Sequence, residues 1–167
     1  MSETDIQTEN LRLVIREPEE VLTWIAAMSD ADRAEVSDDW LTRLRATTSP
    51  DPWTCGFAMM HRTTGAVVGS CAYKSPPSAD GVVEIAYGVD PEQQGRGYAT
   101  EAARALVAYA FATGGVRVVR AHTLPAPNAS TRVLTKCGFE WRGEVVDPDD
   151  GLVWRWEIAQ ERHRKET

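Results

Sequence analysis

Apolar and polar positions alternate in short runs along this chain, and the period of the alternation changes in a regular order. Leu11, Leu13 and Ile15 are interleaved with Arg12 and Val14, which predicts a first strand. Pro18 and the acids around it suit the first turn of a helix, and Val21, Leu22, Trp24, Ile25 and Met28 then recur at helical spacing. Asp32 is positioned to cap a second helix reaching about Ala46, with Val36, Trp40, Leu41 and Leu44 on one face. Residues 53–60 and 66–73 read as strands joined by a turn at Thr63-Thr64-Gly65, and 82–89 is the next strand, stopped by Asp90-Pro91. A glycine-bearing turn at 95–97 leads into a helix over about 99–113. Its stripe of Ala99, Ala102, Ala103, Leu106 and Ala110 suits close packing on a sheet.

A strand at 116–123, a helix at 130–136 and two further strands complete the series. Phe139, Trp141, Gly143 and Val145 alternate on one of these strands, and Leu152, Trp154, Trp156 and Ile158 on the other. Pro148-Asp149-Asp150-Gly151 makes the hairpin turn between them. Trp154 and Trp156 read as core because Arg155 and Glu157 take the opposite parity; Trp24 reads as core on its helix. The charged tail 161–167 is expected to fray. The order is strand, two helices, three strands, helix, strand, helix, two strands, which is an α/β sandwich with a mixed sheet.

Composition narrows the function classes. At 167 residues, 43% hydrophobic and 26% charged, the chain reads as one domain, residues 1–167, closing with a charged tail from 159. The apolar runs are too short to span a membrane, and the first residues lack a secretory layout, so a cytoplasmic protein is expected. A net charge of −7 argues against general nucleic-acid binding, which needs a basic face. Cys55, Cys71 and Cys137 lack metal-ligand spacing and His61, His122 and His163 are scattered, so no metal site is expected and the thiols read as reduced core residues. His122, in mid-strand, reads as structural.

The segment with the most chemistry runs from the strand at 82–89 through the turn at 92–97 into the helix. The first N–H groups of a helix lack partners and its dipole favours an anion there. Gly95 and Gly97 let backbone approach a bulky pyrophosphate, Arg96 adds a cation and Thr100 a hydroxyl. No Gly-Lys-Ser/Thr follows, which excludes a Walker A loop, and Thr100 stands where a dinucleotide fingerprint wants Gly or Ala. Taken alone, the turn is equally compatible with a plain tight turn.

The run Gln94-Gly95-Arg96-Gly97-Tyr98-Ala99 resembles the Gln/Arg-x-x-Gly-x-Gly/Ala motif of the GCN5-related N-acetyltransferases (GNAT). Its flanks, Tyr87-Gly88-Val89-Asp90-Pro91 and Thr100-Glu101-Ala102, are similar to that family too. The segment 128–139, from Asn128-Ala129-Ser130 to Cys137-Gly138-Phe139, and the opening Thr8-Glu9-Asn10-Leu11-Arg12-Leu13 resemble the RimJ/RimL-like branch, the ribosomal-protein N-terminal acetyltransferases and their relatives. The likeness spans about residues 8–158. It implies the GNAT fold, a mixed central β-sheet with two splayed parallel strands (82–89 and 116–123) flanked by helices.

The resemblance also implies acetyl-CoA as co-substrate and direct attack by a primary amine, on a small molecule or a protein N-terminus. Gln94, Gly95, Arg96, Gly97, Tyr98, Ala99 and Thr100 would hold the pyrophosphate, and backbone of Tyr87 and Val89 would pair with the pantetheine arm. Asn128 would reach the pantetheine or cap a helix. Trp24, Trp40 and Trp53 are placed to border the acceptor cleft. Glu84 is the candidate base, sharing a strand face with Ala86 and Gly88; a carboxylate on a solvated or ion-paired face is the alternative. Many members carry a tyrosine acid seven residues after the motif asparagine; that slot holds Leu134 here, and Pro127 stands in the asparagine's place. Ser130 is left to hydrogen-bond the departing thiolate or to serve as helix N-cap. Late strands of the family often pair between subunits, which makes a homodimer one expected arrangement. The competing reading is an acyl-CoA-binding regulatory or interaction domain with little catalysis.

Overall fold

In the computed structural model, which describes residues 5–166, the first alternating run becomes strand β2 (Leu11–Ile15), preceded by a two-residue strand β1 (Ile6–Gln7). Helices α1 (Pro18–Ala26), α2 (Asp30–Ala34) and α3 (Asp38–Ala46) follow, then β3 (Phe57–His61), β4 (Val67–Tyr73) and β5 (Val82–Val89). After a 3-10 turn, Pro91–Gln93, come α4 (Tyr98–Ala112), β6 (Val118–Thr123), α5 (Ala129–Lys136), β7 (Glu140–Asp147), β8 (Gly151–Ala159) and α6 (Gln160–Glu166). The strands form one sheet in the order β1-β2-β3-β4-β5-β6-β8-β7, and every pairing is antiparallel except β5 with β6. The mixed sheet with one parallel pair is therefore as expected.

Four local expectations are corrected. The second helix is two helices, because Ser29 and Ser37 each accept a backbone N–H, from Asp32 and Trp40, and each restarts the chain as an N-cap. Trp53 lies in a turn ahead of β3, where Asp51 accepts from the Thr54 hydroxyl at 2.7 Å, and its ring packs on Tyr73 with centroids 4.7 Å apart. Trp24 is 59% exposed: Val21 and Ile25, four residues apart, carry the buried line of α1, and Trp24 falls outside it. The C-terminal segment is helical through Glu166, docked by Gln160 N–H on the Arg117 carbonyl and by His163 against Phe111, 5.1 Å between centroids. Thr167 lies outside the described residues.

The pairing that positions the site is the parallel one. It consists of Val82↔Val118, Val83↔Val119 and Glu84↔Arg120, and stops there. From Ile85 to Val89 strand β5 stays on β4, and over its whole length β6 stays on β8. Gly69 keeps β5 close to β4: a Cβ there would sit 2.2 Å from the Gly88 carbonyl oxygen, so only glycine allows this approach. Two half-sheets thus diverge beyond Glu84. Helix α4 packs on the face of β5 that carries buried Val83 and Ile85, through Ala102, Ala103, Leu106 and Ala110, all fully buried.

The first turn of α4 is tied to the β1–β2 turn by Glu101. Its carboxylate accepts from the Thr8 hydroxyl, the Asn10 backbone N–H at 2.9 Å and the Asn10 side-chain amide at 2.9 Å. Burial pushes this carboxyl up, but those donors outweigh it and hold Glu101 below its ordinary range. A group with a lowered folded pKa stabilises above its unfolded value and loses that contribution as pH falls through the folded one. Glu101→Gln is therefore expected to cost about 1 kcal/mol at pH 7. The difference in urea midpoint between variant and wild type should shrink as pH falls below the carboxylate range.

Candidate active site

The glycine turn is built by dihedral demand. Gly95 and Gly97 have φ of 80° and 83°, a region L side chains rarely adopt, and Gly97 is the N-cap of α4. A Cβ at either position would meet no protein atom within 4 Å, so the backbone lies open to whatever approaches it. Glycine has no side chain to cap the helix, and the first N–H groups of α4 have no carbonyl a turn earlier to bond. Together with the helix dipole they make an anion site. The Gln94 side-chain amide donates to the Val89 carbonyl at 3.0 Å, fixing the turn to the end of β5.

In front of this turn lies a cleft of about 530 Å³. Tyr87 and Val89 of β5, residues 94–100 other than Arg96, and Ser130, Arg132, Val133 and Lys136 of α5 line it. Arg96 instead lines an adjoining cleft of about 850 Å³ with Arg104 and, again, Lys136. Asn128 is outside both. It is the N-cap of α5: its side-chain oxygen accepts from Thr131 N–H at 2.9 Å while the Thr131 hydroxyl accepts from Asn128 N–H at 3.0 Å. Ser130 is thereby free of capping, and its hydroxyl lies 3.0 Å from the Tyr87 phenol. Burial pushes that phenol up to about 12, with the Ser130 bond opposing, so it keeps its proton at neutral pH.

The Lys74 N–H bonds the Glu84 carbonyl at 2.9 Å, so even-numbered residues of β5 turn their backbone groups to β4. The backbone of Ile85, Tyr87 and Val89 consequently faces the gap that β6 vacates, with the Val89 carbonyl already taken by Gln94.

Glu84 is on the opposite face of β5, beside exposed Ala86 and Gly88. Its Oε2 meets Lys74 Nζ at 3.3 Å and His122 Nδ1 at 3.1 Å. Lys74 also reaches Asp150 at 3.3 Å. Burial works against the ammonium, but the Glu84 and Asp150 carboxylates raise its pKa above the ordinary value. Asp147 lies 3.8 Å from His122; desolvation opposes its charge, but the N–H groups of Asp150 and Asp149 hold it below the usual range. On the far side of the imidazole, Arg155 Nε donates to Nε2 at 3.1 Å.

Glu84, His122 and Asp147 each offer a ligand atom within 4.8 Å of the others, which is metal-site spacing that the scattered histidines did not suggest. The surrounding shell is not that of a metal ligand. A ligating imidazole donates its other N–H to an acceptor, whereas Nε2 here accepts from a guanidinium, and Lys74 already faces Glu84.

The thiols are free and buried; burial lifts Cys71 to about 12 and Cys137 to about 11, which keeps both protonated and poorly nucleophilic. Trp156 is core, with its indole N–H on the Thr123 hydroxyl, and Trp154 packs edge-on against Trp141.

A family model for the acetyltransferase (GNAT) domain matches residues 2–140. The chain belongs to that family. A curated relative, uncharacterized N-acetyltransferase p20 from Bacillus licheniformis, is 26% identical over 91 residues, 54% of this chain. The match spans about half of that relative, 51%. Solved structures share the fold at low identity. An acetyltransferase of the GNAT family from Bacillus anthracis has a TM-score of 0.68 at 20% identity, covering 95% of this chain and 99% of that one. A Vibrio cholerae structure carrying the provisional name ribosomal-protein-serine acetyltransferase scores 0.66 at 17%, covering 94% and 98%. AAC(6')-Ib in complex with ribostamycin and coenzyme A scores 0.67 at 17%, covering 94% and 97%.

The capping geometry separates two neighbours on α5. Asn128→Ala should lower stability by about 1 kcal/mol in chemical denaturation. Ser130→Ala should leave the denaturation midpoint almost where it was; equal losses at both positions would contradict the assignment of the cap.

Proposed function

We propose that this chain transfers an acetyl group from acetyl-CoA to a primary amine, with Glu84 as base. The observation that carries the reading is the divergence of β5 and β6 after Glu84↔Arg120, with an anion-binding turn and a hydroxyl pair on one face and a half-buried carboxylate on the other. The open N-terminus of α4 and the backbone of 94–100 suit a pyrophosphate, and Arg96, Arg104 and Lys136 beside it suit further phosphate. The backbone of Tyr87 and the N–H of Val89 suit an extended amide arm. Acetyl-CoA supplies a thioester that an amine can attack directly, releasing a thiolate.

The protein's own groups then divide the proton work. Glu84 takes a proton from the amine side, and the Ser130–Tyr87 hydroxyl pair offers O–H on the thiolate side. Leu134, fully buried, fills core where many family members carry a tyrosine acid, so the donor falls to that pair. An acceptor α-amino group with a pKa near 7.7–8.0 is already about a tenth to a sixth neutral at pH 7, against about one part in 2,500 for a lysine amine. A protein N-terminus therefore asks less of the base than a lysine does. The Vibrio cholerae neighbour's name favours such an acceptor in the RimJ/RimL-like manner, while the aminoglycoside bound to AAC(6')-Ib favours a small-molecule amine. Three free cysteines fit a cytoplasmic setting.

Acetyl-CoA should raise the melting temperature, since ligand at 100 times Kd adds about 2.7 kcal/mol. Thiol release across N-terminal peptides, aminoglycosides and polyamines should then identify the acceptor. Glu84→Gln should lower kcat on the order of 10²-fold at pH 7, and less as pH approaches the amine's own pKa. Binding with no turnover on any amine would favour an acyl-CoA-binding regulatory domain instead.

A further inference from the structure

We infer that His122 is a positioning residue for the transfer: locked by Arg155 as the Nδ1–H tautomer, it holds the Glu84 carboxylate at the mouth of the gap between β5 and β6. The inference rests on Glu84 being the base.

An arginine side chain can only donate, so the 3.1 Å contact from Arg155 Nε makes His122 Nε2 an acceptor. The ring proton must then sit on Nδ1, where it is donated to Glu84 Oε2 at 3.1 Å. His122 and Arg155 are register partners on β6 and β8, and Glu84 pairs two residues earlier with Arg120, so one line of bonds crosses three strands. The imidazole side chain is only 5% exposed, which leaves it little room to turn. Arg120, its neighbour on the same face, is held separately by Glu157 at 2.7 Å and cannot replace it.

Glu84 lies just before the strands part, so its backbone is anchored and only the side-chain torsions need fixing. In the transfer the amine nitrogen bonds the acetyl carbon, the carbon–sulfur bond breaks, and the amine proton passes to Glu84; a carboxylate displaced by about 1 Å can cost on the order of 10²-fold. The groups facing His122 are Glu84 from β5, Asp147 from β7 and Arg155 from β8, with Lys74, just past the end of β4, on the same Glu84 oxygen. Were Arg155 absent, the bond that fixes the tautomer would be gone, and the alternative Nε2–H form would turn a lone pair toward Glu84.

The test combines three variants with one spectrum. His122→Phe should lower kcat on the order of 10- to 100-fold while KM for acetyl-CoA and the acetyl-CoA thermal shift stay as in wild type. His122→Asn, whose amide N–H can stand near the Nδ1 position, should recover part of that loss. Arg155→Met, which removes the donor to Nε2, should also lower kcat with KM for acetyl-CoA unchanged. Nitrogen-15 spectra of labelled histidine in the wild-type protein should report the Nδ1–H tautomer at pH 7. Full kcat in His122→Phe, or an Nε2–H tautomer, would overturn the inference. Absence of turnover by wild type on every amine would instead sink the transferase reading, and the positioning role of His122 with it.

Discussion

The structure depends on a seam of three parallel residue pairs, 82–84 on β5 against 118–120 on β6. It joins a half-sheet built on β4 to one built on β8, and it ends where Glu84 stands. Had the pairing run on, the backbone of Tyr87 and Val89 would be spent on β6 and no gap would exist. Had it been absent, the two half-sheets would share no ladder. Valine at 82, 83, 118 and 119 favours a buried extended pair up to that point, and Gly69 draws the rest of β5 toward β4. The gap follows from where each strand finds its better partner.

Both faces of the gap inherit their chemistry from the alternation of β5. Odd positions send Val83 and Ile85 into the core under α4 and bring the Tyr87 hydroxyl to Ser130; even positions send Glu84 to Lys74 and His122. The carboxylate and the hydroxyl pair are thereby kept on opposite sides of one strand. The anion site is steadied from a distance by Glu101, which fastens α4 to residues 8–10. That bond connects two segments, Thr8-Glu9-Asn10 and Thr100-Glu101-Ala102, whose likeness to the family was visible as two unrelated stretches of sequence.

Much of this was legible beforehand. The mixed sheet, the glycine turn and the helix after it follow from period and dihedral demand, and the turn's residues do converge on one cleft apart from Arg96. Cap choice was harder, because Ser29, Ser37 and Asn128 compete with equally suitable neighbours and only the backbone path decides among them. The network around Glu84 could not be read at all from spacing. Its members come from the segment just past β4, from β5, β6, β7 and β8 and from the β7–β8 turn, and no local pattern relates Lys74 to Asp150 or His122 to Arg155. A faint signal was present in parity: Arg120, His122, Arg155 and Glu157 are the polar positions of two apolar strands, but which of them meet is a matter of register.

The gap also creates a strand edge in the middle of a sheet. Exposed edges ordinarily recruit other chains, and proteins blunt them with charge, bulges or cover. Here α4 and α5 flank the backbone that residues 85, 87 and 89 turn away from β4, and the space before it is a cleft of about 530 Å³, not an open face. What would be an aggregation hazard on the outside becomes a steric filter on the inside. On the proposed reading, a thin, flexible arm with amide groups of its own satisfies that edge, so the arm's shape gives a basis for selectivity separate from contact with phosphates.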